Sequence, residues 1–213
     1  MNLYPVFLDL RGRPCLLVGG GAVAARKAAA LIGAGAVLTV VSPALTPALA
    51  ELARSDSIRH RMKRFDESDL AGMFLAVAAT DDPAVNGSVA IACRSRGILV
   101  NVATAPEAGT FIVPSVVARG DLLIAVSTCG GSPALSRKVR EELERSYGPE
   151  YGVFLRKMAV VRQRMLREVQ DEAVRRETFR AIVDSDVMGL LREGAVDRAD
   201  RRIEEIVKSV TGR

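Results

Sequence analysis

Cys15-Leu16-Leu17-Val18-Gly19-Gly20-Gly21-Ala22-Val23-Ala24 is the stretch on which the fold turns. An apolar run passes through three glycines into a helix-forming segment, and its spacing fits G-x-G-x-x-A. In such a turn Gly19 allows the tight reversal and Gly21 lets the backbone approach a pyrophosphate, while the small Ala24 lets the helix pack close to the strand. Ala22 and Val23 would open that helix, whose free N-terminal amides face the phosphates. The predicted cofactor loop is therefore Gly19, Gly21, Ala22 and Val23. A dinucleotide suits it best, with FAD, S-adenosylmethionine and a purely structural bend as the other readings.

Working outward, short apolar runs alternate with helical stretches, the pattern that builds parallel sheets through right-handed crossovers. Strands are predicted at residues 14–18, 36–41, 74–79 and 98–102, with helices at 22–32 and 83–96. Near Pro114 the pattern changes. Strand-like runs at 111–117 and 122–127 lead through Cys129-Gly130-Gly131 into a helix that Ser132 caps and Pro133 begins. From Tyr151 onward Arg, Glu, Leu and Val recur at helical spacing, with Gly189, Gly194 and Gly212 as punctuation. The predicted class is α/β: a Rossmann-like doubly wound parallel sheet over 1–113, a small α+β segment over 114–150, and a helical lobe over 151–213.

Length and composition bound the function. The chain has 213 residues, 49% of them apolar and 26% charged, which suits a packed globular protein rather than a disordered one. No apolar run approaches the roughly 20 residues needed to span a bilayer, and residues 1–10 lack the basic start and cleavage site of a secretory signal. A cytoplasmic location without membrane attachment is expected. Cys15, Cys93 and Cys129 are too widely spaced for a disulfide framework or a metal knuckle, so they read as reduced thiols and no metal site is predicted. His60, in Arg59-His60-Arg61, reads as part of a strand with a solvated face. Formal net charge is +5, but the basic residues are dispersed and aromatics make up 4%, which argues against nucleic acid.

Two strand ends supply further cofactor candidates. The second strand closes on Val41-Ser42-Pro43, where many NAD sites present a carboxylate to the adenosine ribose. Ser42 can hydrogen-bond there without repelling a 2′-phosphate, and with Arg26 and Lys27 nearby the residues leave NAD and NADP both open. Ala79-Thr80-Asp81-Asp82-Pro83 lies at the carboxyl end of another strand, where ligands gather in open parallel sheets. Thr80 and Asp81 are pocket candidates, and Asp82-Pro83 makes an equally good helix start.

Taken together, these residues resemble the precorrin-2 dehydrogenase family, found also as the dehydrogenase–ferrochelatase module of siroheme synthases. The likeness covers most of the chain. It begins with Tyr4-Pro5-Val6-Phe7-Leu8-Asp9-Leu10 and runs through the glycine loop, Arg26-Lys27, Val40-Val41-Ser42-Pro43 and Ala79-Thr80-Asp81-Asp82. Farther on come Asn101-Val102, Phe111-Ile112-Val113-Pro114-Ser115 and Ser127-Thr128-Cys129-Gly130-Gly131-Ser132-Pro133. The resemblance implies NAD-dependent oxidation of precorrin-2 to sirohydrochlorin on a homodimer, with 114–150 as its dimerisation and active-site segment. Some relatives also insert iron. No room is expected for the methyltransferase domain fused to some siroheme synthases.

One position departs from the family. Bifunctional relatives carry an aspartate, proposed as general base, where this chain reads Asn101-Val102-Ala103-Thr104-Ala105-Pro106. A positioned base contributes about 10²–10⁴-fold, so the resemblance implies dehydrogenation, with Thr104 and Asp81 as the catalytic positions and Asp81 or water taking the proton, and weak metal insertion. For the tetrapyrrole, Asn101, Thr128, Arg119 and Arg137 are the predicted contacts, with Lys138 and Arg140 beside them. Arg137 and Arg140 stand next to Glu141 and Glu144, so an ordinary paired helix face is the competing reading. A functional alternative for the whole chain is a non-catalytic NAD-sensing dimeric module.

Overall fold

β1 (Pro14–Val18) is buried on both faces, as the central strand of a two-sided parallel sheet must be. Its alternate residues serve opposite layers. Cys15 and Leu17 join Ala24, Ala28 and Leu31 of α1 (Ala22–Gly33) and Leu49 of α2 (Pro47–Arg54). Leu16 and Val18 join Val89, Ala90 and Cys93 of α3 (Pro83–Ser95). The remaining strands are β2 (Val37–Val41), β3 (Arg59–Arg61), β4 (Leu75–Ala78) and β5 (Leu99–Val102), all parallel in the order β3-β2-β1-β4-β5. The chain builds β2 and β3 on one side of β1 and then crosses to β4 and β5 on the other. That reversal places a switch point at the carboxyl end of β1, where an open sheet binds ligands.

This computed structural model describes residues 3–212 and divides the chain into two compact units at Val113/Pro114. Met1 and Asn2, on which part of the leader reading falls, and Arg213 lie outside the described residues. No helix among the described residues is long and apolar enough to cross a membrane.

In the second unit β6 (Ser115–Arg119) and β7 (Leu122–Val126) form an antiparallel hairpin that packs on α4 (Pro133–Ser146). α5 (Glu150–Glu168), α6 (Glu172–Val183), α7 (Val187–Arg192) and α8 (Val196–Thr211) surround a core containing Phe154, Met165, Ile182, Val187 and Ile203. Ala199, Ile203, Ile206 and Val207 recur at the spacing of one helical face, which explains why α8 packs there.

Three expectations need correction. The strand predicted at 111–117 begins only at Ser115. Before it, the Thr110 N–H donates to the Val100 carbonyl at 2.7 Å and its Oγ1 accepts the Val100 N–H at 2.8 Å, so this segment seals the free edge of β5. Pro114 then has no N–H to offer a ladder. Gly194 and Gly212 stand in the left-handed region at helix ends, but Gly189 lies inside α7 and punctuates nothing. α2 has no counterpart among the predicted helices, although Thr46-Pro47 places a suitable pair at its start.

A buried carboxylate fixes the loop after β3. Asp69, in the short 3₁₀ turn Glu67–Leu70, is 1% exposed and accepts from Arg61 and Lys63 at 2.8 Å each, and from the Asp66 amide at 3.0 Å. Burial alone would raise its pKa; hydrogen bonds from Lys63, the Asp66 backbone and Arg61 outweigh it and hold the carboxyl below its usual range. A lowered folded-state pKa adds stability that is complete above about pH 4, the unfolded range, and is lost as pH falls through the folded value. Asp69→Asn is expected to destabilise the first unit by about 2 kcal/mol at neutral pH. Urea titrations should show the difference between variant and wild type shrinking below pH 4.

Candidate functional site

The carboxyl ends of β1, β2 and β4 enclose a cleft of about 660 Å³. Its floor is the glycine turn, and the three glycines are not equivalent. Gly19 adopts φ +126°, and a Cβ there would overlap the Ala79 carbonyl. A Cβ on Gly20 would overlap the Ala44 carbonyl and lie 2.6 Å from Ser42 Oγ. Both are required by backbone crowding. A Cβ on Gly21 would meet nothing within 4 Å, and the residue lines open cleft, so its lack of a side chain leaves room for a ligand. It also starts α1 without any side-chain cap, which leaves first-turn amides available to an anion.

Ser42, 7% exposed, lines the cleft while its hydroxyl donates to the Ala44 carbonyl at 2.7 Å. His60 bonds the Ser42 carbonyl through Nε2 at 2.9 Å, so it braces this turn from β3. Thr80 and Asp81 also line the cleft. Thr80 Oγ1 lies 2.7 Å from Asn86 Oδ1, and Asp82 Oδ1 caps α3 by accepting from Ala84 and Val85. The cap reading holds for Asp82, while Thr80 and Asp81 border the cleft beside it. Ala22 and Val23 are exposed on the first turn of α1 but do not line the cleft, nor do Arg26 and Lys27. Burial, reinforced by Arg26, lowers the Lys27 pKa.

Sequence reasoning missed Gly20, Thr46 and Arg64. Thr46 Oγ1 is a buried oxygen without a hydrogen-bond partner among the described residues, on the wall of the cleft. Arg64 is carried there by the loop that Asp69 anchors, with Phe65 packed into the core beneath it. A glycine cradle, uncapped amides, an orphan hydroxyl and a cation fit a phosphate-bearing dinucleotide. Only the glycine run was visible as a local pattern, since the rest is assembled by the turns after β2 and β3.

The other predicted residues are distributed over both units. Asn101 is 4% exposed at the end of β5; its Nδ2 donates to the Phe111 carbonyl at 3.1 Å, and its Oδ1 has no partner among the described residues. Thr104 is exposed just beyond β5 and accepts from Asn86 Nδ2 at 3.2 Å. In the second unit Thr128 Oγ1 ties the loop before α4, accepting the Ser132 N–H at 3.0 Å. Arg119 donates to the carbonyls of Tyr147 at 2.9 Å and Glu144 at 3.2 Å, closing the C-terminus of α4. Arg137 pairs with Glu141 at 2.9 Å and Arg140 with Glu144, while Lys138 is exposed on the same helix. Among the described residues no group of three His, Cys, Asp or Glu side chains could hold a metal ion. Burial pushes the Cys15 and Cys93 thiols up to about 11, so both pack as neutral groups, and Cys129 is exposed.

Comparison with known proteins agrees with this geometry. The NAD(P)-binding family NAD_binding_7 matches residues 6–115, and the family described as "Sirohaem biosynthesis protein central" matches 119–146. Siroheme synthase of Methylococcus capsulatus is 39% identical over 205 residues, covering 96% of this chain and 43% of that protein. Siroheme synthase of Chromobacterium violaceum is 41% identical over 204 residues, with the same 96% and 43% coverage. The chain therefore spans less than half the length of these curated relatives. A solved structure titled "SirC, precorrin-2 dehydrogenase" superposes with a TM-score of 0.78 at 30% identity, covering 95% of this chain and all of that one. With a family model over half its length and that full-length structural relative, the chain belongs to the precorrin-2 dehydrogenase family of siroheme biosynthesis.

Proposed function

We propose that this chain is an NAD-dependent precorrin-2 dehydrogenase, acting in the cytoplasm as a homodimer and producing sirohydrochlorin. The observation that carries this reading is the glycine cradle at the switch point, where Gly19 and Gly20 are demanded by packing and Gly21 is left open for a ligand. Membership of the family supplies the substrate class. NAD is the cofactor that the resemblance implies; Ser42 and Arg64 on the cleft wall make NADP the comparison to run beside it.

In this reading Gly21 and the first-turn amides of α1 hold the pyrophosphate, and Ser42, Thr46 and Arg64 surround the adenosine end. Thr80 and Asp81 border the other side. Bound NAD supplies the hydride acceptor. Dehydrogenation removes a hydride and a proton from the substrate, and the exposed Asp81 carboxylate is the group placed to receive the proton or pass it to water. Holding the two reactants together is the larger part of the catalysis, since hydride transfer depends on proximity and orientation. Metal insertion must also strip pyrrole protons, and Thr104 cannot act as a base for that.

Gly21→Asp is expected to abolish NAD binding in calorimetric titration, by filling the open position and repelling phosphate, with an unchanged circular dichroism spectrum. Retained affinity in the folded variant would remove the glycine loop from the site. Purified protein given precorrin-2 and NAD should develop sirohydrochlorin absorbance, with iron insertion weak in a parallel assay. NAD binding without any oxidation would favour the NAD-sensing module. Sedimentation should show a dimer at micromolar concentrations, and a concentration-independent monomer would contradict it.

A further inference from the structure

Asn86 forms a buried polar hub that the proposed mechanism does not use. It sits one turn into α3, is 2% exposed, and reaches back to Thr80 and across to Thr104. Its orientation is set by backbone groups that can each play one role only. The Thr80 N–H must donate, so the atom 3.1 Å away is Oδ1; the Thr80 carbonyl must accept, so the atom 3.0 Å away is Nδ2. Thr80 Oγ1 lies 2.7 Å from Oδ1, in keeping with that assignment. Toward Thr104 the amide therefore presents Nδ2, and Thr104 Oγ1 accepts from it at 3.2 Å.

Thr104 then keeps its own proton for something else. A hydroxyl that accepts from a fixed N–H donor turns its O–H away from that donor. No other described residue takes this hydrogen, and the side chain is exposed at the carboxyl edge of the sheet, linked through Asn86 to Thr80 on the cleft wall. We propose that Asn86 is a positioning residue that fixes Thr104 as a hydrogen-bond donor, and that the acceptor Thr104 serves is a carboxylate of the tetrapyrrole substrate. This rests on the precorrin-2 reading for the identity of the ligand, while the donor polarity follows from the Asn86 geometry alone. Position 104 in this chain thus recognises substrate rather than removing its protons.

The test uses uroporphyrin, a stable polycarboxylated tetrapyrrole, titrated by fluorescence against the NAD-loaded protein. Thr104→Val should weaken binding about 10-fold, the loss of one hydrogen bond to a charged group, and Thr104→Ser should restore it. Asn86→Asp replaces the donor by an acceptor and should turn the Thr104 proton inward, weakening uroporphyrin binding similarly; because the same Nδ2 also bonds the Thr80 carbonyl on the cleft wall, the titration is run at saturating NAD. The double variant Asn86→Asp/Thr104→Val should be little worse than either single one, because both remove the same contact. Equal affinity in wild type and folded Thr104→Val would overturn the proposal, as would fully additive losses. Because this readout is binding, it stands apart from turnover: a protein that binds uroporphyrin as described but oxidises no precorrin-2 sinks the dehydrogenase reading and not the donor assignment.

Discussion

The site depends on three strand ends meeting at a distance no side chain permits. β1 leaves the sheet between β2 and β4, and the backbone at Gly19 and Gly20 passes so close to the Ala79 and Ala44 carbonyls that a Cβ on either would overlap them. Any residue other than glycine would push those ends apart and open the floor of the cleft. The penalty has two parts at Gly19, because φ +126° also lies where L-residues are strained. Gly21 carries no such packing requirement. A motif that looks uniform in sequence thus divides into two residues that build the cleft and one that leaves it empty.

The opposite wall is held by electrostatics. Arg64 cannot reach the cleft unless the loop after β3 is fixed, and Asp69 fixes it by drawing Arg61, Lys63 and the Asp66 amide onto one buried carboxylate. The two cationic partners are each nearly half exposed, which lowers the cost of burying the pair and leaves their remaining donors in water. A cation lining the cleft is in this way carried on a segment whose own charges are already spent on structure.

How far the sequence could be read follows from how local each cause is. The central strand, the glycine turn, the Asp82-Pro83 helix start and the Ser132 cap each rest on neighbours within a few residues, and their positions agree with the structure to within about a residue. Residues 111–114 looked like a strand because they are apolar and β-branched, but β5 uses Thr110 to close its edge, and that choice depends on a partner ten residues away. Arg64 and Asn86 gave no pattern at all, and Thr46 offered only a helix start with Pro47. Their significance comes from turns that bring β2, β3, β4 and β5 together, while Arg119 meets the end of α4 across 25–28 residues of chain.

That last case bears on how the polyanionic substrate proposed for this chain would be recognised. Net positive charge directs attention to arginines, yet Arg119 is engaged by backbone carbonyls and Arg137 and Arg140 by glutamates on their own helix. Freeing any of them for a ligand would first break an existing contact, so the gain on binding is the difference between two similar interactions. An exposed pair such as Arg137–Glu141 is worth only about 0.2–1 kcal/mol, and the difference on exchanging it for a ligand is smaller still. A neutral hydroxyl whose acceptor side is already satisfied breaks no contact within the protein and exchanges only a hydrogen bond to water. Asn86 leaves Thr104 with a single free proton, no charge to desolvate and an orientation fixed before any ligand arrives, which is the condition under which a weak donor discriminates well.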